Sequence, residues 1–453
     1  MSGIVGIFKA HKLAEVERML DAQKHRGPDG RAVLDLESDN VTLGLVWPSR
    51  QADLEQVLME QKTARDSAGN GRFAELRVTG GGIAVSRDSL GAAPLYYGRT
   101  EDDALCFASE VKALLKVSRQ VFEVPPGAAS DLKHFDLPPV ETPRPLLDDS
   151  PDKIAAELFK LLDRAVISCL AKGDAGSWLS GGLDSSVLCA ILRPHVKTLH
   201  SFSVGMEGSS DLDYARRVAG ALKTEHHELI VDKDGLLEIM PDAIYALESF
   251  DAPLVRSSMM NYLVGRLASQ YVPAVLSGEA GDELFGGYDY LRDTELSDLH
   301  AELLDIQKRL HNTAFQRVDR CSAAHGLITY IPFADPEVVQ YARRIPAPML
   351  INDGVSKWIL RHALKDKLPK DVLLRGKAKF WQGSGVNEIF VQHADDTISD
   401  AEYEREKRLP NGWVLSGKEE LMYYRIFREK FGELPALYWM GRSKGTYEHL
   451  QNG

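Results

Sequence analysis

The chain has 453 residues, a length that exceeds one compact core and favours two or three domains. Its formal net charge is −12 and it has no long basic run, which argues against nucleic acid as a partner but leaves room for a local phosphate site. The four cysteines are scattered without paired spacing, and no segment has the composition of a signal peptide or transmembrane helix, so we expect a cytoplasmic protein with reduced thiols and no membrane partner.

The first third of the chain has the pattern of short strands. Compact apolar runs separated by Gly, Asp and Asn turns predict strands over residues 4–8, 41–47 and 82–85. The segment "DLPPVETPRPLLDDSPD", residues 136–152, is crowded with Pro and Asp and is typical of an extended linker. We therefore expect a first domain over residues 1–135 and a second over residues 153–453.

Beyond the linker, predicted strands alternate with predicted helices. Residues 154–170 have apolar positions at helical spacing, and "SSVLCAIL" and "DYARRVAGALK" are further helices. The predicted strands are "GSWLS", "TLHSFSVG", "EHHELIV" and "VPAVLSG". This alternation indicates a parallel sheet with helices on both faces, followed from residue 299 by a mostly helical region.

The most informative segment is "LSGGLDSS", residues 179–186, where a strand turns sharply into a helix. Glycines allow an anion to approach the backbone, and the amides at a helix N-terminus attract negative charge. Ser180, Ser185 and Ser186 add hydroxyl donors for phosphates, whereas Asp184 would repel a phosphate unless a cation such as Mg²⁺ lay between them. No GK[ST] follows, so the loop is not a Walker motif. It resembles the loop of enzymes that split ATP between its α- and β-phosphates; an ordinary capped turn is the alternative.

A second loop, "LSGEAGDELFGGY", follows another predicted strand. Open parallel sheets bind ligands at the carboxyl ends of their strands, so we expect this loop to face the first one. Asp282 would then complete a Mg²⁺ site with Asp184, and Glu279 would be placed to deprotonate an incoming amine. Acidic residues beside glycines also cap helices, which is the alternative.

Together these segments resemble the asparagine synthetase family, which includes the β-lactam synthetases. The resemblance also rests on "SGIVGIF", "HRGPDG", "RDSLGAAPLYY", "FASEVKALL", "VDRCSAAHG", "SKWILRHAL", "LPKDVLLRGKAKF" and "SGKEELMYYRIF". It implies an α+β, Ntn-hydrolase-like N-terminal sandwich of antiparallel sheets, followed by an α/β ATP pyrophosphatase domain (adenine nucleotide alpha hydrolase-like) with a parallel sheet. It further implies ATP and Mg²⁺ as cofactors, and a small carboxylate and ammonia or an amine as substrates.

The resemblance also implies roles for single residues. Nucleotide contacts are expected from Leu179, Ser180, Gly181, Gly182, Asp184, Ser185, Ser186, Val204, Ser277 and Gly278, and pyrophosphate contacts from Lys377 and Lys379. Glu279 matches the acid proposed to activate the amine. Lys444, in the "GRSKG" loop, resembles the lysine that stabilises the charged transition state.

Four departures from the family pattern matter. Ser2 stands where the family has its catalytic Cys, and the "NGEIYN"-type segment that supplies the oxyanion amide has no match. The Arg and Asp that clamp glutamine are missing between Trp47 and Gly81. Since one oxyanion donor contributes about 10²–10³ in rate, we interpret Ser2 as the remnant of a nucleophile. In the second domain, Ile328 and Tyr330 replace a Glu and an Arg; if they border the acyl or amine pocket, the substrate is not plain aspartate.

These observations predict an AMP-forming amide synthetase that works without glutamine hydrolysis. One alternative is β-lactam synthetase-like ring closure, although Glu279 stands where that branch has Tyr. Another is a non-catalytic nucleotide-binding protein, in which the second site would have decayed like the first. The acyl substrate, the nucleophile and the oligomeric state, including a homodimer, stay open.

Overall fold

The computed structural model describes residues 1–8, 11–51, 53–80, 82–130, 144–170, 176–376 and 386–443. The first part of the chain is built mainly from strands: β1 (Gly3–Phe8), β2 (Gly30–Leu36), β3 (Val41–Trp47), β4 (Thr63–Gly69), β5 (Arg72–Thr79), β6 (Gly82–Arg87), β7 (Tyr96–Arg99), β8 (Leu105–Ala108), β9 (Val121–Glu123) and β10 (Ala129–Ser130). Its helices are α1 (Leu13–Ala22), α2 (Asp53–Gln61) and α3 (Val111–Leu114).

These strands form two antiparallel sheets. One has the order β2-β3-β1-β8-β7-β9 and the other the order β10-β6-β5-β4. The alternation of side chains along β1 explains why the whole strand is buried. Ile4 and Phe8 belong to the apolar cluster between the two sheets, and Val5 and Ile7 belong to a second cluster with α1. The structure confirms the predicted sandwich of antiparallel sheets.

The second part contains a five-stranded parallel sheet covered by helices. Its strands are β11 (Gly176–Trp178), β12 (His200–Gly205), β13 (Glu225–Ile230), β14 (Ala274–Leu276) and β15 (Ile328–Tyr330). All strands are parallel, and their order is β13-β12-β11-β14-β15. The chain adds β12 and β13 on one side of β11 and then β14 and β15 on the other, and such a change of side places a ligand-binding crevice beyond the carboxyl end of β11. The structure confirms the predicted α/β class.

The helices of the second part follow the predicted alternation and then dominate. They are α4 (Pro151–Leu170), α5 (Leu183–Leu192), α6 (Ser210–Leu222), α7 (Lys233–Leu247), α8 (Ala252–Ala268), α9 (Gly281–Phe285), α10 (Leu299–Gln307), α11 (Ala314–Ala323), α12 (Pro336–Ala342), α13 (Ala347–Leu350), α14 (Trp358–Ala363), α15 (Lys370–Leu373), α16 (Val386–Thr397), α17 (Asp400–Glu406) and α18 (Lys418–Phe431). A short hairpin, β16 (Ile351–Asn352) and β17 (Val355–Ser356), precedes α14. No helix among the described residues is long and apolar enough to span a bilayer, and all four cysteines are buried free thiols.

Two details differ from the sequence-based expectation. Strand β15 lies in the region predicted to be mostly helical, because three fully buried residues carry no alternation that would identify a strand. Helix α4 begins at Pro151, inside the segment predicted as a linker. The domain boundaries themselves stay a prediction.

A buried network of charges joins the two parts. Arg26 donates to Asp319 of α11 at 2.7 and 3.1 Å, and Arg72 donates to the same carboxylate at 2.6 Å. On the other side of this contact, Glu248 accepts hydrogen bonds from the backbone amides of Val111 and Lys112 at 3.1 and 2.7 Å. The charged groups of Arg26, Asp319 and Glu248 are at most 3% exposed. The contact between the parts is therefore ionic as well as apolar.

Candidate active site

The loop between β11 and α5 is shaped by Gly181 and by two serine hydroxyls. Gly181 has φ +70°, and a Cβ there would lie 2.5 Å from the carbonyl oxygen of Asp211, so the position requires glycine. The hydroxyls of Ser185 and Ser186 donate to the carbonyl oxygen of Gly182 at 3.1 and 2.7 Å. The first residues of α5, Leu183, Asp184 and Ser185, line the crevice at the end of the sheet, where a helix N-terminus attracts negative charge.

The second loop packs directly against the first. A Cβ on Gly278 would lie 2.8 Å from the amide nitrogen of Ser185, and a Cβ on Gly281 would lie 2.6 Å from the carboxyl group of Asp184. Glycine at both positions therefore permits the two loops to touch. This contact brings Asp282, in the first turn of α9, beside Asp184, as the sequence predicted.

A lysine lies between these two aspartates. Lys357, at the turn into α14, has φ +54° and a side chain that is 7% exposed. Its Nζ is bonded to Asp184 and lies 2.6 Å from Oδ1 of Asp282. Burial alone lowers the pKa of Lys357, but the two carboxylates outweigh it and raise the pKa well above its ordinary value. Two carboxylates that converge on one positive charge fit the donor set that Mg²⁺ prefers.

Glu279 is held by an arginine from α11. Arg317 is bonded to the carboxylate of Glu279 and donates through Nη1 to the hydroxyl of Ser257 at 2.8 Å. Burial tends to lower the pKa of Arg317, and the ion pair with Glu279 more than offsets this. Glu279 is therefore oriented by a permanently charged partner rather than simply capping α9.

These groups line one cavity of about 290 Å³ at the carboxyl end of the parallel sheet. The predicted residues that line it are Leu179, Ser180, Gly182, Asp184, Ser185, Val204, Ser277, Gly278, Glu279 and Asp282. Besides Arg317, three cations share the lining: Lys357, Arg361 and Arg375. These three residues lie in the motifs "SKWILRHAL" and "LPKDVLLRGKAKF" named above, but nothing in the local sequence shows that these segments pack beside the carboxyl ends of the strands.

Several predicted residues lie elsewhere. Gly181 and Ser186 are not in the cavity lining; Ser186 is fully buried and its hydroxyl shapes the loop. The condition set for Ile328 and Tyr330 is not met by this cavity, because neither residue is in its lining, and Tyr330 lines a separate small pocket with residues 68–72 of the first part. Lys377, Lys379 and Lys444 lie outside the described residues.

Comparisons with known proteins agree with this geometry. Residues 157–304 and 297–449 match the asparagine synthase family, and residues 61–144 match the glutamine amidotransferase domain family. The chain belongs to the asparagine synthetase family. Members of this family are ATP-dependent carbon–nitrogen ligases, and the chain is an enzyme of that class.

Individual relatives show the same relationship. The chain is 34% identical to asparagine synthetase B [glutamine-hydrolyzing] of Escherichia coli, over 77% of its own length and 67% of the relative's. It is 33% identical to a probable asparagine synthetase [glutamine-hydrolyzing] of Schizosaccharomyces pombe, with 77% and 70% covered. A solved structure of NMN synthetase from Francisella tularensis matches at 17% identity with a TM-score of 0.27, covering 65% of this chain and 100% of that one.

Ser2, which the family resemblance aligned with a catalytic nucleophile, is a buried residue in this synthetase. The hydroxyl of Ser2 donates to Oε1 of Gln51 at 2.7 Å, and its backbone amide donates to Asp66 at 3.2 Å. Its carbonyl oxygen accepts from Arg26 at 2.9 Å. Ser2 is 0% exposed and Arg26 is 0% exposed. The serine is therefore packed into the charge network that joins the two parts.

Proposed function

We propose that this synthetase adenylates a small carboxylate with ATP and transfers the acyl group to ammonia or a small amine, without hydrolysing glutamine. The observation that carries the proposal is the convergence of Asp184, Asp282, Lys357 and Glu279 in one cavity beyond the end of β11. A nucleotide-binding protein without catalysis would have no need for a carboxylate held beside the phosphate site.

The first step is adenylation. An oxygen of the substrate carboxylate attacks the α-phosphorus of ATP, and the bond to the β-phosphate oxygen breaks to release pyrophosphate. The N-terminus of α5 faces the phosphates, and Lys357, Arg361 and Arg375 supply positive charge to the departing pyrophosphate. Asp184 and Asp282 would hold Mg²⁺ in place of their contact with the ammonium of Lys357, and the ion would neutralise further phosphate charge.

The second step is attack by the amine. Its nitrogen bonds to the acyl carbon, the bond from that carbon to AMP breaks, and the amine must lose a proton. Glu279 can accept this proton because Arg317 orients the carboxylate in the cavity lining. Lys444 and Lys377 remain part of the proposal through the family resemblance.

Independence from glutamine rests on the surroundings of Ser2. The hydroxyl of Ser2 is fixed by a hydrogen bond to the amide oxygen of Gln51, and Ser2 is fully buried. Arg26, Asp319 and Arg72 fill the buried region between Ser2 and α11 with ion pairs. Ammonia taken directly from solution, or an amine substrate, is consistent with this arrangement.

The test is a screen of carboxylates and amines with ATP that follows AMP and pyrophosphate release. We expect one acid–amine pair to give stoichiometric AMP, pyrophosphate and amide, with ammonium salts but not glutamine as a nitrogen source. Asp184→Asn is the matched loss-of-function variant, and Asp371→Asn, on an exposed ion pair, is the control. Release of ADP and phosphate, or glutamate formation from glutamine, would contradict the proposal.

A further inference from the structure

A second cluster of ligating side chains lies on the same sheet but away from the cavity. Strands β12 and β13 are parallel neighbours, and His200 pairs with Glu225 while Phe202 pairs with His227. Paired residues and residues two apart point to the same face of a sheet. His200, Glu225 and His227 consequently share one face at the edge of the sheet, where β13 is the last strand.

The three ligating groups point at one another. Nδ1 of His200 lies 3.0 Å from Nε2 of His227 and 3.6 Å from a carboxylate oxygen of Glu225. One ligand atom from each residue falls within 4.8 Å of the other two. A single proton shared by the two imidazoles can bond His200 to His227, but the carboxylate of Glu225 then lies beyond hydrogen-bond distance of His200, at 3.6 Å. A divalent cation would bind all three groups.

The surroundings hold the rings in place and keep the cluster accessible. The ring of His227 packs against the rings of Phe202 and Tyr271, with centroid distances of 5.1 and 3.8 Å. Burial and the neighbouring His200 lower the pKa of His227, which favours the neutral ring that binds metals. The side chains of His200 and Glu225 are 22% and 63% exposed, so an ion and its water ligands have access from solvent.

The chemistry of these donors selects the type of ion. Two imidazole nitrogens and one carboxylate oxygen suit Zn²⁺ and its neighbours Co²⁺, Ni²⁺ and Cu²⁺, whereas Mg²⁺ prefers oxygen ligands. His200 stands at the start of β12, about 13 Å along the strand from Val204 of the cavity at 3.3 Å per residue. The cluster is thus separate from the aspartates of the adenylation site.

We propose that His200, Glu225 and His227 form a binding site for a divalent transition-metal ion of the Zn²⁺ class, with water completing the coordination. The bound ion links the edge strand β13 to β12. The proposal does not depend on which amide the enzyme makes.

The experiment titrates full-length, tag-free protein, freed of metal with a chelator, with Co²⁺ and follows the visible absorption of the bound ion. We expect one equivalent to bind with tetrahedral d–d bands, and Zn²⁺ to displace it. His227→Gln and Glu225→Gln should each weaken Co²⁺ binding by at least about tenfold. Loss of a residue that only hydrogen-bonds to a metal ligand already weakens metal binding by about tenfold or more. Circular dichroism checks that each variant is folded.

The matched control is His226→Gln. His226 neighbours His227 in the chain but points to the opposite face, where its ring bonds the hydroxyl of Ser201 at 2.8 Å. Its substitution should leave Co²⁺ affinity unchanged. If wild-type protein binds no Co²⁺ at submillimolar concentrations, or if folded His227→Gln and Glu225→Gln bind it as tightly as wild type, the site does not exist.

Discussion

Asp319 is the residue whose loss should most weaken the contact between the two parts of the chain. Its carboxylate accepts hydrogen bonds from Arg26 at 2.7 and 3.1 Å, from Arg72 at 2.6 Å and from Arg320 at 2.8 Å. Asp319→Asn preserves the shape of the side chain but removes the negative charge among three buried guanidinium groups. Removing one partner of a buried ion pair costs about 3–5 kcal/mol. We expect the free energy of unfolding to fall by that amount at pH 7.

The assay is urea unfolding at equilibrium, followed by tryptophan fluorescence. Asp371→Asn is the control, because Asp371 pairs with Arg217 at 2.9 Å but both side chains are about half exposed. Such a surface pair contributes about 0–1 kcal/mol. A loss for Asp319→Asn that is no larger than the loss for Asp371→Asn would refute the reasoning.

Wild type and Asp319→Asn should also differ in how their free energy of unfolding depends on pH. Burial alone raises the pKa of Asp319, but Arg26, Arg72 and Arg320 outweigh it and hold the pKa well below its usual range. A carboxyl group whose pKa is lowered on folding stabilises the protein above its unfolded pKa of about 3.9. This stabilisation is lost as the pH falls through that value toward the folded pKa. The stability difference between wild type and Asp319→Asn should therefore shrink below about pH 5.

Three further predictions concern the chemistry. Lys357→Met should slow ATP–pyrophosphate exchange by about 10²–10³-fold, as expected for loss of one buried charge at the phosphates. The control Lys365→Met, at a lysine whose side chain is 55% exposed, should not slow it. Equal exchange rates for the two variants would show that Lys357 has no role in the site. Glu279→Gln should retain exchange but slow amide formation by about 10²–10⁴ in single-turnover experiments; an unchanged amide step would make Glu279 a structural residue. Ser2→Ala should leave ammonia-dependent synthesis unchanged, and Ser2→Cys should still release no glutamate from glutamine; glutamate from either the wild type or the Cys variant would show a working glutaminase site.

Local sequence was a good guide wherever a short segment forms its own structure. The apolar runs of β1 and β3, and the glycine turn before α5, have local causes: side-chain alternation, burial on both faces and a backbone that only glycine adopts at residue 181. The sequence therefore indicated the two kinds of sheet, the sharp turn into α5 and the proximity of Asp184 and Asp282, while the phosphate-binding role of the loop stays a prediction. That Ser2 stands at the position of the family's nucleophile stays a prediction from the resemblance.

Only the tertiary structure decided which distant side chains meet. Lys357 reaches the aspartates across more than 70 residues of chain from Asp282, and Arg317 reaches Glu279 from α11. It placed Tyr330 in a small pocket against the first part, and it directed the hydroxyl of Ser186 to a carbonyl oxygen of its own loop. The physical reason is that strand and turn signals act over a few residues, whereas an ion pair depends on where the packed sheet and helices place the ends of long side chains. The residues that carry charge into the active site therefore became visible only once the chain was folded.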